Sequence, residues 1–154
     1  MEPRWLSEAD QVVWREYLRA TLTVREALER DLLNEAGLSL NEYEVLVVLS
    51  EQPDRRIRMS TLAEELVNSR SRLSHTIGRM EKRGLVDRES CTKDGRGVYC
   101  GLTDEGYEVL VAAAPHHVES VRRHIFDRLT PEDIAALGAV LPKLGTSYDG
   151  AEGS

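Results

Sequence analysis

Apolar residues recur every three or four positions over most of the chain, and alternate or cluster in one central stretch. Over residues 7–34, Trp14, Leu18, Thr21, Leu28 and Leu32 fall on one stripe, widened by Val13, Tyr17 and Val24. This spacing predicts a long amphipathic helix, closed by Gly37 as a left-handed cap. Its apolar arc is wider than a single neighbour covers, so packing against a second copy is expected. Ser39-Leu40-Asn41-Glu42 is a capping box that opens a second helix through Tyr43, Leu46, Val47 and Leu49, ended by the turn at 51–54. Ser60 is expected to cap a short third helix over 61–67, burying Leu62, Ala63 and Leu66. Ser69 is expected to cap a fourth helix to position 83, with Leu73, Ile77 and Met80 inward and Gly84 as the stop signal.

After Gly84 the texture changes. Residues 85–92 and 98–102 read as two strands, and Lys93-Asp94-Gly95-Arg96-Gly97 between them has hairpin-turn composition. Thr103-Asp104-Glu105 caps a long helix to about residue 129, which Pro115 should kink or split. Thr130-Pro131 starts a last helix ending near Gly145, and 147–154 is expected to be a disordered tail. Two short helices joined by a tight turn and followed by a hairpin make a winged helix-turn-helix, over 39–102. The fold class is mostly α (α+β).

Composition adds limits. The 154 residues suit one domain or two small ones sharing a core, with 41% hydrophobic and 31% charged residues, as in soluble globular proteins. No apolar run approaches a membrane span and the N-terminus lacks a signal-peptide layout, so a cytoplasmic protein is expected. Two cysteines do not make a secreted disulfide framework. The net charge of −7 argues against a polyanionic partner until it is mapped. From Arg55 to Cys100 stand eleven basic against six acidic side chains, a local +5 between acidic ends. No Gly-rich phosphate loop, nucleophile elbow or metal-ligand spacing is present. His116, His117 and His124 are not spaced to share an ion, so no enzyme, metal or cofactor is expected.

The basic region has the chemistry to read DNA. Arg70, Ser71, Arg72, Ser74, His75 and Arg79 lie on the fourth helix away from its buried stripe, where they can meet base edges in a major groove. Lys82 and Arg83, at the far end, suit phosphates. On the hairpin, beside Lys93, Arg96 can enter a minor groove, and Asp94 can orient its guanidinium by an ion pair. The alternative is a winged-helix module that contacts protein, for which a basic hairpin is unnecessary.

Asp94-Gly95-Arg96 followed by Leu102-Thr103-Asp104-Glu105-Gly106 resembles the D-x-R-x5-L-T-x-x-G signature of the MarR family of multiple-antibiotic-resistance-type regulators. Leu62-Ala63-Glu64-Glu65-Leu66 and the segment from Ser69 to Val86 are similar to that family's helix-turn-helix. The resemblance implies a homodimer on double-stranded DNA with a pseudo-palindromic operator. The helices of 1–38 and 103–146 would form its dimerisation lobe, Ser69–Arg83 the recognition helix, and Asp94 and Arg96 part of the wing. It also implies a transcriptional repressor released by a small aromatic acid or phenol, or by an oxidant. For the ligand route, Trp14, Tyr17 and Tyr43 are candidate pocket walls, with Arg25 placed to meet a carboxylate. For the redox route, Cys91 would face Cys100 if Lys93 faces Val98 across the hairpin, and Arg88 and Lys93 would lower a thiol pKa.

Overall fold

The structure, a computed structural model, describes residues 2–66, 70–91 and 97–145, with the backbone alone for Arg70 and Cys91. Helix α1 (Glu8–Ala36) starts at Ser7 with reciprocal Ser7–Asp10 capping bonds and stops at Gly37 (φ 63°), whose N–H returns to the Leu33 carbonyl. Helix α2 (Leu40–Ser50) opens on the expected box, Ser39 Oγ accepting from Glu42 N while the Glu42 carboxylate accepts from Ser39 N. A three-residue strand, β1 (Arg56–Arg58), then leads directly into α3 (Met59–Glu65). Helix α4 (Arg70–Lys82) is followed by β2 (Val86–Cys91), β3 (Gly97–Leu102), α5 (Asp104–His124) and α6 (Pro131–Gly145).

The order of the antiparallel sheet is β1-β3-β2. Its inner face and helices α2, α3 and α4 enclose a core in which Leu46, Leu49, Leu62, Leu73, Ile77, Met80 and Cys100 are buried. The first turn of α5 is pinned to this core. Gly84 takes a left-handed φ of 74°, and its carbonyl accepts from Thr103 Oγ1 at 2.6 Å, while Thr103 N donates to the Leu85 carbonyl at 3.2 Å. Thr103 Oγ1 in turn caps Gly106 N. A Cβ on Gly106 would stand 2.0 Å from the Leu85 carbonyl oxygen, so the helix can approach this closely only with glycine there. The Leu-Thr-x-x-Gly run thereby acquires a packing reason.

Several expectations are corrected. Ser60 is not the cap of α3: the helix begins two residues earlier, at Met59, because β1 ends at Arg58 and leads straight into it with Arg58 as the cap position. Ser69 and the proposed break at 68–69 lie outside the described residues, as does the tail at 147–154. Pro115 does not split α5, which runs unbroken from Asp104 to His124 before a 3-10 turn at Phe126–Arg128. Its helix is held against α1 on both sides of that residue, with Ala113 and Ser120 buried. Ser120 Oγ donates to Asp31 Oδ2 at 2.6 Å, and Arg123 and His124 reach the same oxygen at 2.8 and 2.9 Å.

The stripe on α1 divides in two. Leu28 and Leu32 are core residues, whereas Trp14, Tyr17 and Leu18 are 44–50% exposed. The α6 residues Leu137, Val140, Leu141 and Leu144 are exposed as well.

Candidate nucleic-acid interface and adjoining cleft

Leu73, Ile77 and Met80 seat α4 in the core, so that Ser71, Arg72, Ser74, His75 and Arg79 all emerge on its exposed face. This is the amphipathic division the sequence predicts. Position 70 begins the helix, but its side chain lies outside the described residues. So do Lys93, Asp94 and Arg96, the residues expected in the hairpin turn. Arg88 ties the wing to α4: its backbone N donates to Glu81 Oε2 at 3.0 Å and its Nη2 to Oε1 at 3.1 Å. The charge-assisted bond from Arg88 holds the Glu81 carboxyl below its ordinary range.

At the far end of α4, Lys82 and Arg83 are exposed, as a phosphate contact would require. Arg83 Nη1 donates to Glu42 Oε2 at 3.2 Å, and Arg79 Nε stands 4.0 Å from the other Glu42 oxygen. Glu42 is itself 6% exposed, so a buried carboxylate at the start of α2 anchors the end of α4. The capping box marked Glu42 in the sequence, but its second bond crosses 41 positions and leaves no local signal.

The redox pair is overturned by register. Cys91 pairs with Gly97 and Cys100 with Arg88, not with each other. Three residues of strand separate the expected partners, roughly 10 Å at the usual rise, beyond the Cα reach of a disulfide. The five-residue connection at 92–96 shifts the pairing by three positions relative to the register assumed from the turn composition. Cys100 is fully buried, and burial first, then Asp87, pushes its thiol up to about 12; Arg56 and Arg88 offset this only in part. It is an unreactive core thiol at neutral pH.

Behind the helix-turn-helix, a cleft of about 800 Å³ opens between α1, α2, α5 and α6. Tyr17, Val24, Arg25, Tyr43, Glu44, His117, Leu137 and Leu141 line it, so three of the four sequence-predicted wall residues come together there. Trp14 does not reach the cleft; it stacks on Tyr17 with ring centroids 5.9 Å apart. Arg25 already has partners, its Nη2 donating to Asn41 Oδ1 at 2.7 Å and its Nη1 lying 4.0 Å from Glu44 Oε1. Burial raises the Glu44 carboxyl and the Tyr43 phenol, and lowers the imidazole of His117. The His117 ring lies 4.3 Å from that of Tyr43, and its Nδ1 is buried with no hydrogen-bond partner among the described residues. Glu44 reads as a surface charge in the sequence and His117 as one of three unremarkable histidines, because only the packing of α5 on α2 brings them together. No cluster with metal-binding donors is found among the described residues.

These features define a winged helix-turn-helix protein with a polar recognition face. A sequence model of the MarR family matches residues 36–97. The transcriptional regulator YkoM of Bacillus subtilis is 30% identical over 86% of this chain and 84% of its own. Two solved structures from Streptomyces coelicolor are nearer in sequence. One is a MarR family transcriptional regulator in complex with DNA, 48% identical over 93% of this chain and 89% of its own, with a TM-score of 0.88. The other, AbsC, is 46% identical over 92% and 95%, with a TM-score of 0.85. The chain belongs to the MarR family of transcriptional regulators, which are DNA-binding proteins and not enzymes. Among the described residues no helix is long and apolar enough to cross a membrane.

Proposed function

We propose that this regulator is a cytoplasmic homodimeric repressor that binds a pseudo-palindromic operator and is released by a small aromatic or phenolic ligand. The observation that carries the reading is the exposed face of α4, where Ser71, Arg72, Ser74, His75 and Arg79 stand together over a fully buried stripe. Such a face suits base edges, and the wing that follows suits the adjacent minor groove through Arg96, with Lys93 and Asp94 beside it. Two copies related by a two-fold axis place two such helices on half-sites about 10 base pairs apart.

Dimerisation through α1, α5 and α6 is supported by their exposed apolar residues, which a second copy would cover. Residues 39–102 then form the DNA-binding lobe. The cleft supports the ligand. Its walls are mainly apolar, with Tyr43 and His117 rings on one side and the polar groups of Arg25 and Glu44 at the edge. A planar aromatic body fits the former and an acid or hydroxyl the latter. The cleft touches α2, whose first turn holds Glu42 against the recognition helix, so occupation has a short route to the DNA face.

Fluorescence anisotropy on the DNA upstream of this protein's gene, against scrambled DNA and across a salt series, tests the reading. Tight, salt-steep binding that prefers the native sequence, weakened by phenols or aromatic acids, is the expected result. Equal and weak binding to both DNAs, repeated in a genome-wide selection of bound sequences, would reject it.

A further inference from the structure

Asp54 and Arg55 are the two non-glycine positions with positive φ among the described residues, and they are adjacent, at 55° and 53°. Left-handed backbone is disfavoured for any side chain, and more for arginine than for aspartate, whose short polar group can bond locally. Such strain persists only where surrounding contacts over-determine it. The turn is closed by backbone bonds from Arg55 N to the Gln52 carbonyl at 3.0 Å and from Arg56 N to the Pro53 carbonyl. The Arg55 side chain then reaches out to α5. Its guanidinium lies 3.7 Å over the centre of the Tyr107 ring and 3.8 Å from Asp104 Oδ1. Asp104 is fully exposed, so the ring face is the stronger of the two contacts. Asp104 and Tyr107 stand three residues apart, on one side of α5.

The start of α5 is therefore gripped twice. Thr103 and Gly106 are fixed to Gly84 and Leu85 behind α4, and Asp104 and Tyr107 to the turn that enters β1. The first grip is made of backbone and a helix cap. The second is one arginine on a strained turn, and β1 leads from that turn straight into α3. At its other end α5 is bonded to α1 through Asp31. Helix α5 spans 21 residues, about 30 Å at the usual rise. A tilt of about 5° at its first turn moves its far end by roughly 3 Å, close to the rise of one base pair, about 3.4 Å. We infer that Arg55 is a positioning residue that sets the angle of the DNA-binding lobe on α5, and with it the half-site spacing that the two-fold assembly accepts. Tyr107 is the surface it bears on. The inference rests on the proposed homodimer and deepens it, from where the chain meets DNA to how far apart two copies do so.

Spacing preference is a readout that a merely structural loss does not move. On the operator defined by the binding experiment above, wild-type protein should prefer the native duplex about tenfold over one with a base pair inserted or removed at its centre. Arg55→Gly takes the same φ without strain, so the turn keeps its course and the clamp alone is lost. Arg55→Gly and Tyr107→Leu should each reduce the preference to about threefold or less, with affinity for a single half-site unchanged within about twofold. Tyr107→Phe keeps the ring face and should keep the preference, and Arg55→Lys keeps a cation and should fall between. Wild-type spacing preference in both Arg55→Gly and Tyr107→Leu would overturn the inference. An equal loss on every duplex, single half-site included, would overturn it as well, since a damaged lobe or a direct phosphate contact of Arg55 produces that pattern. Wild-type protein that binds no duplex would instead reject DNA binding, and wild-type protein indifferent to spacing would reject the two-fold assembly, so the failures are distinguishable.

Discussion

Single residues decide how the DNA-binding lobe is joined to α5. Gly106 has no room for a side chain because the Leu85 carbonyl occupies the space, and neither the helix cap at Thr103 nor the turn at Gly84 can shift without losing its bond to the other. Gly106→Ala should therefore destabilise the fold by about 1–3 kcal/mol, although alanine favours helices elsewhere. Urea unfolding measures it, and a neutral or stabilising result would show that the close approach is not maintained in solution. Asp31 offers a pH test. Hydrogen bonding from Ser120 first, then from His124 and Arg123, lowers its carboxyl from 3.8 to about 2 against the opposing effect of burial. The unfolded chain binds this proton more tightly, so the stabilisation is complete above about pH 4 and disappears as the pH falls toward 2. The melting temperature of the wild type should exceed that of Asp31→Asn at pH 7, and the gap should close across that window. A constant gap from pH 7 to pH 2 would assign the effect to something other than the ionised carboxylate.

At the scale of elements, α4 is held by two different kinds of contact. Its buried stripe sets which face is offered outward, and Glu42 fixes its last turn through Arg83 and Arg79. Glu42→Ala removes both a cap and the partner of two arginines and should cost about 2–4 kcal/mol. Glu42→Gln keeps an acceptor for Ser39 N and should cost less. With the carboxylate gone, Arg79 and Arg83 are released toward the DNA, so Glu42→Gln should bind random duplexes more tightly than the wild type. Unchanged affinity there would mean that the pair does not compete with phosphate. Helices of this kind were legible in the sequence because their signals are local: Ser7, Ser39 and Thr103 cap within three residues, and Gly37 and Gly84 end helices by backbone conformation alone. Strand β1 was not legible, since Arg-Ile-Arg is too short to show alternation and its partners lie more than 40 residues away. The hairpin was recognised and its register misassigned, because turn composition marks where a chain reverses but does not count the residues that the reversal consumes. The cleft walls were half legible for the same reason. Tyr17, Arg25 and Tyr43 were candidates through the family resemblance, with Arg25 on the α1 stripe, while His117, Leu137 and Leu141 arrive from helices whose approach no local pattern records.

For the whole molecule, the unresolved balance is between apolar surface and core. The sequence stripe on α1 suggests Leu28 as a dimer contact, yet Leu28 is 9% exposed within one chain, so a charge there would strike the core of the single chain. The residues left uncovered are others: Val13 and Trp14 on the first half of α1, and Val140 and Leu144 on α6, all between 47% and 68% exposed. Among the described residues helix α6 has no extensive packing against another element, so in a single chain it has little to hold it. A 15-residue helix is marginal in water without tertiary support. In the proposed homodimer a second copy would supply that support and would also join two recognition helices into one rigid reader of paired half-sites. Val140→Glu, outside the residues that line the large cleft, separates the two requirements. Sedimentation should shift from dimer toward monomer while helix α4 and its core stay folded, and affinity for a two-half-site operator should fall at least tenfold. Binding to a single half-site should change little, because each lobe keeps its own contacts. A dimer that survives this charge, with operator affinity intact, would place the interface elsewhere on the molecule and leave the exposed face of α6 to be explained by something other than self-association.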